Sequence, residues 1–460
     1  MPPVFSVSPS GSGLAFLLRR DPVVITGLGA VSAAGDGGEA LWEAVKARKS
    51  GAQWCQLSKP GGGSAGYAGF PAPALDWGGH PWAGMVRRLD PGGKMALWAA
   101  FSAARQAGIL ENQGNPPDRR RLGIICGSSR GPMRKWEEAH ELLRTGRRMK
   151  ATLAATTTLA SASGALAQVL EARGPSWAVS AACASGAFAM AAAAEQIALG
   201  NADVMLAGGA DQGLNAVVCG GLTAAGVMAR GRENAAELCR PFRFDRTGLV
   251  PGDGAGMVVL ESLSSARRRG VLPLAVLSGW GLGMDPEGLA GMNAGGAGLQ
   301  RTMSGALALA GLQPDDIGYL NAHGTGTVTN DAAEAAAIAA VFGPGMPPCS
   351  SSKSITGHCL GATPALEAIL CIEALRRHAL PPAFPAEAET EANPEHDGTG
   401  VGVRGRESGD PARRIRLSRG GPCGGLRHTL SNSAGFWGFQ ASLILSRWDG
   451  DEEQETADRG

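Results

Sequence analysis

Residues Val179-Ser180-Ala181-Ala182-Cys183-Ala184-Ser185-Gly186 place a cysteine where an apolar strand gives way to an alanine-rich helix. A thiol at that junction faces unpaired backbone N–H groups and the positive end of the helix dipole, which predicts a lowered pKa. The sharp strand-to-helix turn would present the sulfur on a rigid support, as nucleophile elbows do. A small buried thiol filling space is the structural alternative.

Three further segments carry reactive side chains at strand ends. Asn321-Ala322-His323-Gly324-Thr325-Gly326-Thr327 sets a histidine where substrates enter α/β sheets, and its threonine hydroxyls suit a polar, amide-bearing chain. Asn330, Asp331 and Glu334 follow on the next turn and helix. Ser352-Lys353-Ser354-Ile355-Thr356-Gly357-His358 adds a lysine and a second histidine, with Glu367 nine residues further on as a partner for Lys353. Ser431-Asn432-Ser433-Ala434-Gly435-Phe436-Trp437-Gly438-Phe439 is a glycine–aromatic loop able to bring a backbone N–H against a substrate oxygen. Each also has a structural alternative: a satisfied histidine, a surface lysine, a plain turn.

These segments need a scaffold. Pro22–Ala30, Leu122–Gly127, Trp177–Ser180, Ala202–Gly208, Gly256–Leu263, Leu274–Ser278 and Ile317–Asn321 read as strands. Asp36–Lys49 (with Asp36 as N-cap), the stretch after Cys183 to about Gly200, Thr302–Ala310, Asp331–Val341 and Thr363–Arg377 read as helices. Continuous apolar strands alternating with helices predict a parallel-rich sheet covered on both faces. The alternation occurs twice, which predicts two similar halves, 21–270 and 271–448. Residues 1–20 read as a poorly ordered extension, 381–427 as an irregular surface excursion and 449–460 as an acidic tail.

Composition removes several classes of function. The 460 residues carry 42 Lys plus Arg against 41 Asp plus Glu, a net charge of +1, so no general attraction to nucleic acid or anionic membrane is expected. Ala151–Leu170 and Gly174–Ala194 are long and uncharged enough to be tested as spans. Their Ala, Ser, Thr and Gly content reads instead as closely packed helix and loop. The short apolar run before Arg19 has the reverse order of a secretory signal, so a cytoplasmic protein is expected. The nine cysteines form no CxxC pair and no zinc spacing, so no metal is expected. Seventy glycines, roughly twice the usual share, must serve turns and close backbone contacts.

In this order, Cys183, His323, Lys353 with His358, and the Gly435–Gly438 loop resemble the β-ketoacyl-acyl-carrier-protein synthases of the thiolase superfamily, from about Pro22 to Ser446. Arg240-Pro241-Phe242 through Arg246, and Gly252-Asp253-Gly254-Ala255-Gly256, resemble further motifs of that family. The resemblance implies a duplicated five-layered αβαβα fold. It implies Cys183 as the acyl-accepting nucleophile and His323 and His358 as stabilisers of the enolate formed when a malonyl-type unit loses CO2. Lys353 and Glu367 would support the histidines, and the N–H groups of Cys183 and Phe436 would form the oxyanion hole. It further implies Thr325 and Thr327 as contacts to a pantetheine arm, Arg87 and Arg88 as docking residues for an acyl carrier protein, and a two-fold dimer of identical or homologous chains. No dissociable cofactor is implied, the substrates being carried on the phosphopantetheine of the carrier protein.

The chain also departs from the family pattern. Arg243 and Thr247 stand where Asp is common, Asp253 replaces Glu, and Ala434 replaces Phe. Trp437 replaces a glycine of the gate loop, and is expected to narrow the acyl pocket or stiffen the loop. Phe439-Gln440 is closer to type II polyketide ketosynthases than to fatty-acid ones. Two other readings stay open: a thiolase, with Cys423 as second thiol, and a non-catalytic chain-length subunit of a heterodimer.

Overall fold

Apolar β-branched runs form strands, and small-residue periodic runs form the helices that cover them. The structure, a computed structural model, describes residues 11–59, 62–110, 115–231, 234–288, 292–384 and 410–450. Its main elements begin with helix α1 (Gly11–Arg20). A first round follows: β1 (Val23–Ser32), α2 (Pro91–Gln106), β2 (Leu122–Gly127), α3 (Ser161–Val169), β3 (Ser176–Val179), α4 (Ser185–Ala198), β4 (Val204–Gln212) and β5 (Asp253–Ser262). A second round repeats the order: β6 (Ala275–Met284), α5 (Ala297–Ala310), β7 (Tyr319–Asn321), α6 (Val328–Phe342), β8 (Cys349–Ser350), α7 (Thr363–Arg377), β9 (His428–Ala434) and β10 (Phe439–Ser446).

The duplication extends to strand order. The first sheet runs β3-β2-β4-β5-β1 and the second β8-β7-β9-β10-β6. The two join where β1 meets β6 through the pairs Val24↔Val276 and Ile25↔Ala275. Helices α4 and α7 lie between the sheets, against each other, and share one apolar core with both. Helices α2 and α3 cover the outer face of the first sheet, and α5 and α6 that of the second. The result is the five-layered αβαβα fold.

The sheet is less parallel than the apolar runs predict. β2 pairs in parallel with β3 and β4, and β7 with β8 and β9. The β4–β5, β5–β1, β9–β10 and β10–β6 pairs are antiparallel. A strand buried on both faces reads as a continuous apolar run whichever way it points, so direction was not encoded there.

Glycine in the strands sets how closely the helices approach. A Cβ on Gly27 or Gly29 of β1 would collide with the Ala103 or Ala99 carbonyl of α2. At the matching place in the second half, a Cβ on Gly279 or Gly281 of β6 would collide with Ala306 or Thr302 of α5. The same close helix–strand contact is thus built twice with the same residue.

Three expectations need correction. Residues 11–20 form a helix, because Leu14, Ala15 and Leu18 recur at helical spacing and pack inward; residues 1–10 lie outside the described residues. Asp36 does precede a helix (Gly37–Lys46), but its carboxylate accepts from Trp98 Nε1 at 2.8 Å and does not cap it. A hairpin, Gln53–Ser58 with Ser64–Gly69, went unread. Of the 381–427 excursion, 385–409 lies outside the described residues. The rest is tied down: Gly421–Pro422 pairs with Ala379–Leu380, and Leu417 bridges Cys349. The tail from 451 is also outside the described residues. No helix among the described residues is long and apolar enough to cross a membrane.

Candidate active site

The parallel strands β3, β7, β8 and β9 end on loops that hold the chemically capable residues. The register pairs Asn321 of β7 with Ser350 of β8 and Ser431 of β9. That pairing sets the His323, Lys353 and Gly435 loops side by side. Cys183 arrives from the other half, on the turn between β3 and α4. Cys183, His323, His358, Thr325, Thr327 and Phe436 all line one cavity of about 320 Å³.

The Cys183 turn is held locally. Ala182 adopts φ +47°, a left-handed conformation that L-residues occupy at a cost. The Ser185 hydroxyl donates to Ala182 O at 2.6 Å and accepts from Ala181 N at 2.9 Å. A Cβ on Gly435 would sit 2.8 Å from the Cys183 nitrogen, so glycine is what lets the Gly435–Phe436 backbone lie against the Cys183 turn.

The thiol is not tuned as the helix terminus predicts. Burial pushes the Cys183 pKa up to about 12 and Asp211 adds to the rise, while the charges of Arg130 and Lys353 pull it back. The N–H groups of Ala184 and Ser185 are already bonded to Ala181 O and Ala182 O, which spends dipole that would favour thiolate.

Both imidazoles are suited to the neutral state. His323 and His358 sit with ring centroids 5.4 Å apart and planes at 81°. Burial, then the Lys353 charge, holds both pKa values well below the ordinary imidazole value. His358 Nδ1 lies 3.1 Å from the Thr363 hydroxyl. With Thr363 donating, Nε2 carries the ring hydrogen.

A buried charge network holds the histidine backbone. Lys353 and Glu367 pair at 2.6 Å with no solvent exposure, and the Lys353 ammonium also donates to the His323 carbonyl oxygen. Burial raises Glu367 to about 7, against the pull of Lys353. Glu334 accepts from the His323 and Gly324 N–H groups at 2.8 Å each, and burial raises it to about 7 as well. Glu334 therefore ranks with Lys353 as a positioning group. The sequence showed only that it lies one helical turn beyond Asn330 and Asp331.

Asp211 was also missed. It is 1% exposed and accepts from Ser128 Oγ (2.7 Å), Ser129 N (2.7 Å), Arg130 N (3.1 Å) and Gly361 N (2.8 Å). It thereby ties the loop after β2 to the turn that follows His358. Its signal was an acidic residue inside a Gly-Gly-Ala strand end, which fits structural readings equally well.

Some expected residues lie elsewhere. Trp437 adopts φ +65°, is 58% exposed and does not line the cavity, so the indole does not narrow it. The left-handed backbone at Trp437 accompanies a side chain turned out to solvent. Arg87 and Arg88 are exposed and do not line the cavity. Cys423 bonds through its N–H to His378 O and likewise does not line it. Arg243 pairs with Asp245 at 2.6 Å, and Asp253 accepts from Leu214 N at 2.9 Å. No cluster of potential metal ligands occurs among the described residues.

Comparison with known proteins places this geometry. Residues 20–266 match the N-terminal domain model of β-ketoacyl synthases, and 274–387 match the C-terminal domain model. The chain is 41% identical over 301 residues to nodulation protein E of Rhizobium leguminosarum bv. trifolii, covering 64% of this chain and 72% of that protein. It is 31% identical to 3-oxoacyl-[acyl-carrier-protein] synthase 2 of Vibrio cholerae, covering 94% of this chain and 100% of that one. A solved structure of the ishigamide ketosynthase/chain length factor superposes with a TM-score of 0.77 at 29% identity, covering 93% of this chain and 99% of that one. With both domain models matched in order over a thiolase-like duplicated fold, this chain belongs to the β-ketoacyl synthase family.

Proposed function

We propose that the cavity performs decarboxylative Claisen condensation between an acyl group held on Cys183 and a malonyl-type thioester on an acyl carrier protein. The observation that carries this is the lining of one cavity by Cys183, His323 and His358, with Thr325 and Thr327 on the same wall. The Cys183 sulfur attacks the incoming acyl thioester. Its proton leaves with the departing pantetheine thiol. The malonyl unit then loses CO2, and its electron pair becomes an enolate. Neutral His323 and His358 donate hydrogen bonds to the enolate oxygen, which needs no metal. The enolate carbon attacks the Cys183 thioester carbonyl, the oxyanion is met by the N–H groups of Cys183 and Phe436, and the Cys183 thiolate leaves and takes one proton from solvent to restore the thiol. The product is a 3-oxoacyl chain on the carrier protein, in fatty-acid, polyketide or polyene assembly.

Lys353, Glu367 and Glu334 position the His323 loop. Thr325 and Thr327 bond the pantetheine arm. Arg87 and Arg88 supply positive charge for docking an acidic carrier protein. The substrates come on the carrier's phosphopantetheine with no further cofactor, and the protein works in the cytoplasm as a dimer with itself or with a homologous chain-length subunit. The test is reaction with acyl and malonyl carrier proteins, followed by intact-mass analysis. An acyl adduct on Cys183, a 3-oxoacyl product and stoichiometric CO2 are expected. Malonyl consumption without an adduct, or an adduct elsewhere, would overturn the reading.

A further inference from the structure

Arg246 has a side chain 2% exposed and lies between two carboxylates. On one side Asp410 takes its guanidinium in a two-point pair, from Nη1 at 2.8 Å and Nη2 at 3.2 Å. On the other, Asp331 lies 3.8 Å from Nε. The remaining donors go to backbone carbonyls: Nη1 to Arg243 O (2.8 Å), Nη2 to Val328 O (3.1 Å) and Nε to Thr327 O (3.4 Å). Thr327 and Val328 line the cavity, and Val328 is 60% exposed at its rim. Asp331 holds the same loop from below, accepting from Thr325 N at 3.0 Å and Gly326 N at 3.2 Å.

We propose that Arg246 and Asp410 form a positioning pair that fixes the Thr325–Val328 rim for the pantetheine arm of the substrate. This rests on the condensing-enzyme reading above. A planar guanidinium can hold a carboxylate with one edge and carbonyls with its other donors; a lysine ammonium cannot meet that geometry. Asp410 also neutralises a cation that would otherwise be drawn toward Asp331, taking the Thr327 carbonyl with it. The second carboxylate is thus what leaves the Asp331 hydrogen bonds to the loop undisturbed. Asp410 lies at the described end of the 381–427 stretch and acts on the cavity wall only through Arg246.

The test compares wild type with Asp410→Asn, Arg246→Lys and Asp410→Glu on two substrates. One is an acyl group on carrier-protein phosphopantetheine; the other is a simple alkyl thioester without amides, read by mass as Cys183 acylation. Asp410→Asn and Arg246→Lys should raise KM for the carrier substrate about tenfold with kcat within about twofold, and leave alkyl thioester acylation within about twofold. Asp410→Glu should restore most of the KM. Hydrogen exchange of the 325–331 amides, measured without substrate, should quicken in Asp410→Asn. Equal losses on both substrates, an unchanged carrier KM, or unchanged exchange would each overturn the proposal. Wild type that forms no product would overturn the condensing-enzyme reading instead, and the exchange measurement still decides the positioning claim.

Discussion

Lys353 touches both the Glu367 carboxylate, at 2.6 Å, and the carbonyl oxygen of His323, so one buried ammonium joins helix α7 to the His323 loop. Removing either partner leaves the other without its counter-charge in a site that water does not reach. Lys353→Met or Glu367→Leu alone should destabilise by about 3–5 kcal/mol, and the double variant by clearly less than the sum. Denaturant unfolding of the three variants measures this; additive losses would show that the pair is not coupled.

Cys183→Ala should fold normally, take up no acyl group and lose condensation by at least about a thousandfold. Intact-mass analysis after incubation with acyl carrier protein checks it. An adduct on the variant would remove the nucleophile assignment.

Glu334→Gln keeps one accepting oxygen where the carboxylate has two, so one of the His323 and Gly324 N–H groups loses its partner. The cost should be about 1–3 kcal/mol of stability, with slower decarboxylation than Cys183 acylation. Single-turnover measurement of the two half-reactions separates them, and equal slowing of both would argue against a specific hold on His323.

Because burial lowers both imidazole pKa values, His323 and His358 stay neutral below the ordinary value of about 6.5. The acid limb of decarboxylation should therefore lie below that pH. The sign for stability is the same: protons bind the unfolded rings more readily, so these two groups withdraw stability as pH falls through the ordinary imidazole range. Burial raises Glu334 and Glu367 to about 7, so a limb near that pH belongs to them. An acid limb at or above about 6.5 that persists in Glu334→Gln and Glu367→Gln would contradict the burial argument for the imidazoles.

Trp437→Gly should leave acyl-chain preference unchanged, since the indole is exposed and off the cavity wall. Relief of the left-handed backbone should raise stability by about 1 kcal/mol. A panel of acyl donors and a thermal melt test both halves of this expectation. A broadened chain-length profile would restore a pocket role for Trp437.

Residue type and order made Cys183, His323, Lys353 and His358 legible in the sequence, because each stands where an apolar strand meets glycine or a helix. The duplication was legible as well, since strand and helix alternate in two rounds. What escaped depends on direction and on through-space contact. The antiparallel side of each sheet, toward the join between the halves, leaves no trace in a doubly buried strand. Glu334 and Asp211 act by accepting backbone N–H groups from distant loops, which no local spacing announces. The raised Cys183 pKa comes from burial outweighing a helix terminus whose first donors are already engaged. Trp437 escaped because a positive φ reverses the side that its neighbours would suggest.

The strand pairing between the halves is two residue pairs wide, while the cavity takes the Cys183 thiol from one half and both imidazoles from the other. The assembled cavity is therefore a property of the interface between repeats and not of either one. Two polypeptides produced by severing the backbone between Ser262 and Ala275 would each be inert, and turnover would reappear only on mixing, to the extent that α4 and α7 find one another again.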